Sequence, residues 1–157
     1  MKTIAFFGHK QVFNKYSVKE KILSALLDMS PNDFSNFLVG CHGDFDALVL
    51  SACLEYKERV NSTVKISIVL TDLSFLNKDD SGKSKVDFYK NLGCETMVFD
   101  IENVHHKNRI TYSNKKMVDK SDLIICYVDT NAYKSGANTA IKYATKQNKK
   151  IINLFKN

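Results

Sequence analysis

Short apolar runs alternate along this chain with segments whose apolar residues recur every three or four positions. The runs predict β-strands at residues 2–7, 36–39, 64–70, 95–99, 122–128 and 150–154. The helical period predicts helices at 17–28, 44–59, 83–92 and 107–119, and a further helix on the stripe Ala137, Ala140, Ile141 and Ala144. This alternation predicts one α/β domain over residues 1–157, Rossmann-like and doubly wound, with a mainly parallel sheet flanked by helices.

Local signals refine two of these elements and predict one loop. Ser17 precedes Glu20 by three positions, which predicts that a capping box opens the first helix. The run at 122–128 is nearly continuous in apolar residues, as expected for a central strand that is covered on both faces. The polar stretch 72–84 is predicted to be a loop.

The junction between the second strand and the second helix has the layout of a ligand site. Residues 37–46 read FLVGCHGDFD, so an apolar strand enters a turn with Gly40 and Gly43 and then an amphipathic helix. Unpaired N–H groups and the positive end of the dipole collect at a helix N-terminus, and glycines let a ligand approach the backbone. The junction predicts a phosphate or nucleotide site, although a parallel sheet that needs only a tight turn gives the same pattern.

Ligands of doubly wound folds bind beyond the carboxyl ends of the strands, near the switch in strand order. The loops to inspect are therefore 8–10, 40–46 and 129–139. The last of them contains Ser135 and Gly136 just where a helix begins. A second glycine-containing helix N-terminus is thus predicted on the same side of the sheet.

The net charge of +6 invites a nucleic-acid hypothesis. Only Arg59 and Arg109 are arginines, and lysine lacks the planar fork that reads bases, although lysines steer any polyanion towards a pocket. The chain has no tryptophan and shows no evident row of exposed aromatic residues for base stacking. Single-stranded nucleic acid is therefore a possible partner that ranks below a small nucleotide.

Other classes of site are not indicated. The four cysteines form no C-x-x-C pair, and the pair His105-His106 has no carboxylate or cysteine at ligand spacing, so we expect no metal site and no cofactor. Ser81-Gly82-Lys83-Ser84 resembles the end of a P-loop, but Asn77 stands where its first glycine must be. No segment approaches the roughly 20 apolar residues that span a bilayer, which predicts a cytoplasmic protein without membrane contact.

Four separated motifs carry a family resemblance. They are Gly8-His9-Lys10, GCHGDFD at 40–46, NKKMVDKSD at 114–122, and Ser135-Gly136-Ala137. In this order they resemble YpsA-like members of the SLOG superfamily, which also groups the DprA/Smf and LOG (Lonely Guy) proteins. The resemblance implies a nucleotide or nucleotide-derived ligand held by Gly8, His9, Lys10, Gly40, Cys41, His42, Gly43, Asp46, Asn114, Lys115, Ser135, Gly136 and Ala137. Related proteins generally associate, so a homo-oligomer is expected, with the alanine-rich last helix as one candidate surface.

The chain departs from the family pattern at three places. Lys10 and Lys115 stand where the family commonly has arginine, and Ser135-Gly136 replaces Gly-Gly. Lysine keeps the charge but loses bidentate phosphate contacts. The LOG signature P-G-G-x-G-T-x-x-E ends in a glutamate that the corresponding residues 133–140 lack, so LOG-type chemistry is not implied.

The leading hypothesis is a nucleotide-binding or nucleotide-sensing module. The alternative is an N-glycosidic hydrolase or transferase in which Asp46, the candidate catalytic residue, polarises the sugar. Acidic residues in a first helical turn also serve capping and the helix dipole, which is the structural explanation for Asp44 and Asp46. His9 and His42 have a similar alternative, as hydrogen-bond partners of their own turns, and Asn114 as the partner of a local backbone group.

Overall fold

A sheet of six parallel strands is the central layer of this protein in a computed structural model, which describes residues 2–131 and 135–155. The strands of this described part are β1 Thr3–Gly8, β2 Asn36–Val39, β3 Lys65–Leu70, β4 Glu95–Val98, β5 Leu123–Tyr127 and β6 Lys150–Asn153. The helices are α1 Lys15–Leu27, α2 Asp44–Arg59, α3 Lys85–Asn91, α4 Arg109–Lys120 and α5 Gly136–Lys146, with short 3₁₀ helices at Leu73–Leu76 and His106–Asn108. The predicted Rossmann-like α/β class is confirmed.

The strand order is β4-β3-β2-β1-β5-β6, and every neighbouring pair is parallel. From β1 the chain builds outward to β4 and then crosses back to the other side of β1. Because parallel crossovers are right-handed, this reversal places α1, α2 and α3 on one face and α4 and α5 on the other. The switch point lies between β1 and β5.

Successive residues of the strands supply the two faces. Phe6 and Phe37 pack with α1 and α2, whereas Phe7, Leu38 and Ile124 pack with α4 and α5. All five side chains are less than 5% exposed. Both faces of the central strands are therefore buried, which explains why the segment now seen as β5 is nearly continuous in apolar residues.

The predicted capping box at Ser17 is wrong. Helix α1 begins two residues earlier, at Lys15, and its N-cap Asn14 makes no side-chain cap hydrogen bond. The preceding loop is held from elsewhere, because the Val12 N–H donates to the Asp44 carboxylate at 3.0 Å. A capping box does open α3, where Ser84 and Asp87 each accept the other's backbone N–H. Tertiary anchoring of the loop, rather than local capping, sets where α1 begins.

The alanine stripe of α5 packs within the chain. Ala137, Ala140 and Ala144 are 8%, 2% and 0% exposed, in a cluster with Ile124 and Cys126 of β5. The small side chains bring the helix close to its own sheet. This stripe is therefore not available as the association surface that the sequence suggested.

Candidate functional site

A cavity of about 310 Å³ opens at the carboxyl edge of the sheet, beside the switch point. It is bordered by the loops after β1, β2 and β3, by one side of α4 and by the first turn of α5. Among the residues predicted from sequence, those on its wall are Gly8, His9, Lys10, Gly40, His42, Asp46, Asn114, Ser135, Gly136 and Ala137. Four stretches that are far apart in sequence thus meet at one place.

Three predicted residues are not on the cavity wall. The Cys41 thiol donates to the Val69 carbonyl oxygen at 3.3 Å, and burial raises the pKa of Cys41 to about 11, so this group is a neutral thiol near pH 7. Lys115 places its Nζ 5.6 Å from the ring centroid of Tyr143. Gly43 packs against the backbone of Lys10. Residues 132–134 of the predicted third loop lie outside the described residues.

Three of the glycines make room for protein atoms rather than for a ligand. A Cβ on Gly8 would overlap the ring of Phe45, and a Cβ on Gly40 would lie 2.6 Å from Asp46 Oδ2. Gly43 has a φ of +90°, and its Cβ would lie 2.6 Å from the Lys10 Cα. The expected open approach at Gly40 and Gly43 is therefore not found.

Gly136 is the exception among the glycines of the site. Apart from Gly136 itself, its two chain neighbours and the backbone of its own helix, no atom in the described part of the chain lies within 4 Å of the position that its Cβ would take. The residue is exposed on the cavity wall and begins α5. It is the glycine of this site whose backbone a bound molecule can approach.

The N-terminus of α2 is already occupied by the chain itself. The Asp44 N–H donates to the Lys10 carbonyl oxygen at 2.8 Å, and the Phe45 N–H donates to the His9 carbonyl oxygen at 3.4 Å. The prediction that the N–H groups at this turn are unpaired is therefore wrong for Asp44 and Phe45. These bonds fix the β1 loop on the α2 helix, so the turn acts as a structural clamp.

The N-terminus of α5 differs from that of α2. Ser135 caps the helix, its Oγ accepting the Asn138 N–H at 3.1 Å, and Thr139 N–H donates to the Ser135 carbonyl oxygen at 3.0 Å. No acceptor within residues 2–131 and 135–155 receives the N–H groups of Gly136 and Ala137. These donors and the positive end of the α5 dipole border the cavity.

Asp46 is the carboxyl group of the cavity. Burial raises the pKa of Asp46 from 3.8 to about 7. The backbone N–H of His42 donates to Asp46 Oδ2 at 2.8 Å, and this hydrogen bond opposes the shift. The acid and the carboxylate are therefore both populated near pH 7. A group with this property in a cleft can hold a hydroxyl, or give and take a proton.

His42 is positioned by a residue that the sequence analysis missed. Its Nε2 lies 2.6 Å from the hydroxyl oxygen of Thr71, which follows β3 and also borders the cavity. Burial is the larger cause that lowers the pKa of His42, and the positive charge of Lys10 is the smaller one, so the imidazole is neutral near pH 7. Thr71 is a polar residue directly after the carboxyl end of β3. The rule that ligands bind beyond the carboxyl ends of the strands therefore also pointed to the loop that contains Thr71.

Apolar side chains form much of the remaining wall. They are Phe6, Phe7, Val69, Ile110 and Met117. The sequence patterns place all five within predicted strands or a predicted helix. Their patterns carried no further signal, because a helix face that lines a cavity has the same period as one that packs on a sheet.

His9 joins the loops after β1 and β5. Its Nε2 accepts the Asp129 N–H at 2.9 Å, and its ring packs edge-on against Tyr127 and Phe155. The proton of the neutral ring is therefore on Nδ1. This bond spans the switch point, and it is compatible with the structural explanation for His9 as well as with a place on the cavity wall.

Two aromatic side chains that follow Lys10 in the sequence are exposed. Phe13 is 90% and Tyr16 is 80% exposed, in the loop and first turn that follow Lys10. The sequence shows no evident row of exposed aromatic residues for base stacking, and the structure adds that these two aromatic positions are exposed. Single-stranded nucleic acid stays open as the third hypothesis.

Within the described residues, no group of three His, Cys, Asp or Glu side chains is arranged to hold a metal ion. No helix in that part of the chain is long and apolar enough to cross a bilayer.

No protein-family model matches the chain, and no curated protein matches it significantly.

Proposed function

We propose that this chain is a SLOG-type domain that binds a nucleotide or a nucleotide-derived ligand as a sensing or binding module. The observation that carries the proposal is the convergence of four sequence motifs on one cavity at the carboxyl edge of a parallel sheet. Doubly wound domains bind ligands at this edge, near the switch point. A cavity of about 310 Å³ falls in the size range of small-molecule sites.

The chemistry of the wall supports an anionic ligand with a flat apolar part. The N–H groups of Gly136 and Ala137 and the ammonium group of Lys10 are suited to a phosphate. Val69 and Ile110 are suited to the face of a base, and Asp46 offers an oxygen to a ribose hydroxyl. Polar groups on several walls are what would fix the ligand's orientation.

A thermal-shift titration tests the proposal. Mono-, di- and cyclic nucleotides are each added to the wild type, and at 100 times its dissociation constant a ligand stabilises by about 2.7 kcal/mol. For a chain of this size that raises Tm by roughly 5–10 °C. Gly136→Val is expected to abolish the shift and still fold, because the position is open and its φ is not positive. Gly43→Val is not a suitable test variant, because its Cβ would overlap the Lys10 backbone and the change would disturb the fold as well as the site.

The matched control is Thr145→Val, which adds the same residue at an exposed position of the same helix, outside the cavity. It is expected to retain the full shift. A wild type that responds to none of the three nucleotide classes contradicts the proposal. An equal shift in Gly136→Val would place the ligand elsewhere.

A second candidate function is N-glycosidic hydrolysis or transfer on nucleotides. One observation favours it, namely that Asp46 lies on the cavity wall and has a pKa of about 7, which suits a general acid or base. Against it, the LOG-type glutamate is missing from residues 133–140.

We expect no release of free base when the purified wild type is incubated with nucleoside monophosphates and followed by chromatography. A hydrolase would give a rate that falls about 10²- to 10⁴-fold in Asp46→Asn, the usual value of one general acid or base. Asp46-dependent release would therefore replace the binding proposal with this second function.

A further inference from the structure

A second cavity of about 430 Å³ lies between α1 and β6, an edge strand of the sheet. It exists because α1, α2 and α3 follow the strands from β1 towards β4, and on this face no described helix continues over β6. Its floor is apolar, with Ala25, Met29, Ile152 and Leu154. We name this cavity the α1–β6 groove.

The rim of the groove carries one charge of each sign. Lys21 of α1 and Asp28, the helical C-cap residue that follows α1, both border it and are seven residues apart, so they lie about two turns from each other on one side of the helix. The Asp28 side chain is exposed and makes no ion pair within the described residues. Lys21 Nζ donates a long hydrogen bond of 3.5 Å to the Leu154 carbonyl oxygen, and it makes no ion pair within the described residues. Both charges are available to an incoming surface.

Small residues separate these two charges. Ser24 and Ala25 border the groove midway between Lys21 and Asp28. A two-fold axis through this midpoint would cross two copies of α1 antiparallel, and each Lys21 would then face Asp28 of the other copy. Short side chains at the crossing let the helices approach closely. The charge pattern is thus self-complementary, as a two-fold interface requires.

We propose that the α1–β6 groove is the surface at which a second copy of this chain docks, α1 against α1, with two symmetry-related Lys21–Asp28 pairs at its rim. The apolar floor supplies the buried area, and the charge pairs fix the antiparallel register. This inference is independent of the ligand cavity. It also replaces the α5 stripe, which is buried in its own chain, as the association surface.

Light scattering after gel filtration at 1 to 100 μM protein and low salt tests the proposal. The wild type is expected at twice the monomer mass of 17.9 kDa. Asp28→Lys sets like charges opposite each other in both pairs, which is expected to raise the dimer Kd at least about 100-fold. Asp28 is exposed at the end of α1, so the variant should fold, and circular dichroism checks this. Glu58→Lys makes the same charge change on exposed α2 surface and should leave the dimer intact.

Mixing two variants provides the decisive measurement. Asp28→Lys carries two positive charges at the rim and Lys21→Asp carries two negative ones, so only their one-to-one mixture restores both pairs. Native mass spectrometry is expected to show the mixed dimer and little of either homodimer. A wild-type monomer at 100 μM overturns the proposal. So does a dimer that Asp28→Lys leaves unchanged, or a mixture that fails to associate.

Discussion

Asp46→Asn is expected to be more stable than the wild type by up to about 4 kcal/mol at pH 8, and to differ little from it near pH 4. Burial raises the pKa of Asp46 from 3.8 to about 7, so the folded protein keeps a proton that the unfolded chain releases above pH 4. The wild type therefore loses stability between pH 4 and 7, and the loss stays constant above pH 7. Asparagine carries no charge, and its carbonyl oxygen can still accept the His42 N–H.

Urea unfolding of both proteins at several pH values from 4 to 8 measures this difference. The control Thr145→Val changes no titratable group, and its difference from the wild type should stay constant over the same range. A difference between Asp46→Asn and the wild type that does not grow with pH would show that the carboxyl group is solvated. It would also remove the observation that favours acid–base chemistry at this site.

Gly8→Ala is expected to lower the free energy of unfolding by about 3 kcal/mol, the upper part of the usual range for overpacking. The added Cβ would overlap the ring of Phe45, which is fully buried, and neither β1 nor α2 can move away cheaply. Chemical denaturation measures the loss. Gly136→Ala is the matched control, because its Cβ enters open space at a helix start, where alanine is expected to be neutral or slightly stabilising.

A double-mutant cycle assigns the cause of this loss. Phe45→Ala alone is expected to cost about 3–5 kcal/mol. Combined with Gly8→Ala, it should cost clearly less than the two separate losses together, since the alanine at position 8 fills part of the cavity left by the ring. Strict additivity would mean that the two residues do not share this contact.

The clamp between the β1 loop and α2 shows why the site was only partly predictable. Sequence reasoning found the residues on both sides, Gly8-His9-Lys10 and the turn with Gly40 and Gly43. The same reasoning predicted that a ligand approaches the backbone at Gly40 and Gly43 and binds the N–H groups of the turn. In the structure, Lys10 and His9 carbonyl oxygens accept the N–H groups of Asp44 and Phe45. A motif read by itself could not show that its partner is another part of the same chain.

The chemical properties of Asp46 and Thr71 also depend on contacts between segments that are far apart in the sequence. The position of Asp46 in the first turn of α2 was predicted, but its raised pKa depends on burial, which the surrounding elements create. Thr71 matters because its hydroxyl meets His42, 29 positions earlier in the chain. Contacts at this separation leave no local pattern in either residue's own neighbourhood.

The sequence by itself determined the alternation of strands and helices, because side-chain periods of 2 and 3.6 are local properties of the chain. For this reason β2 and α2 have the bounds that the pattern predicted, residues 36–39 and 44–59. The tertiary structure alone decided the strand order, the start of α1, which glycines have protein atoms in the space of a Cβ, and which N–H groups at the N-termini of α2 and α5 have acceptors among the described residues. Each of these depends on contacts between segments far apart in sequence, so only the folded chain brings their determinants together.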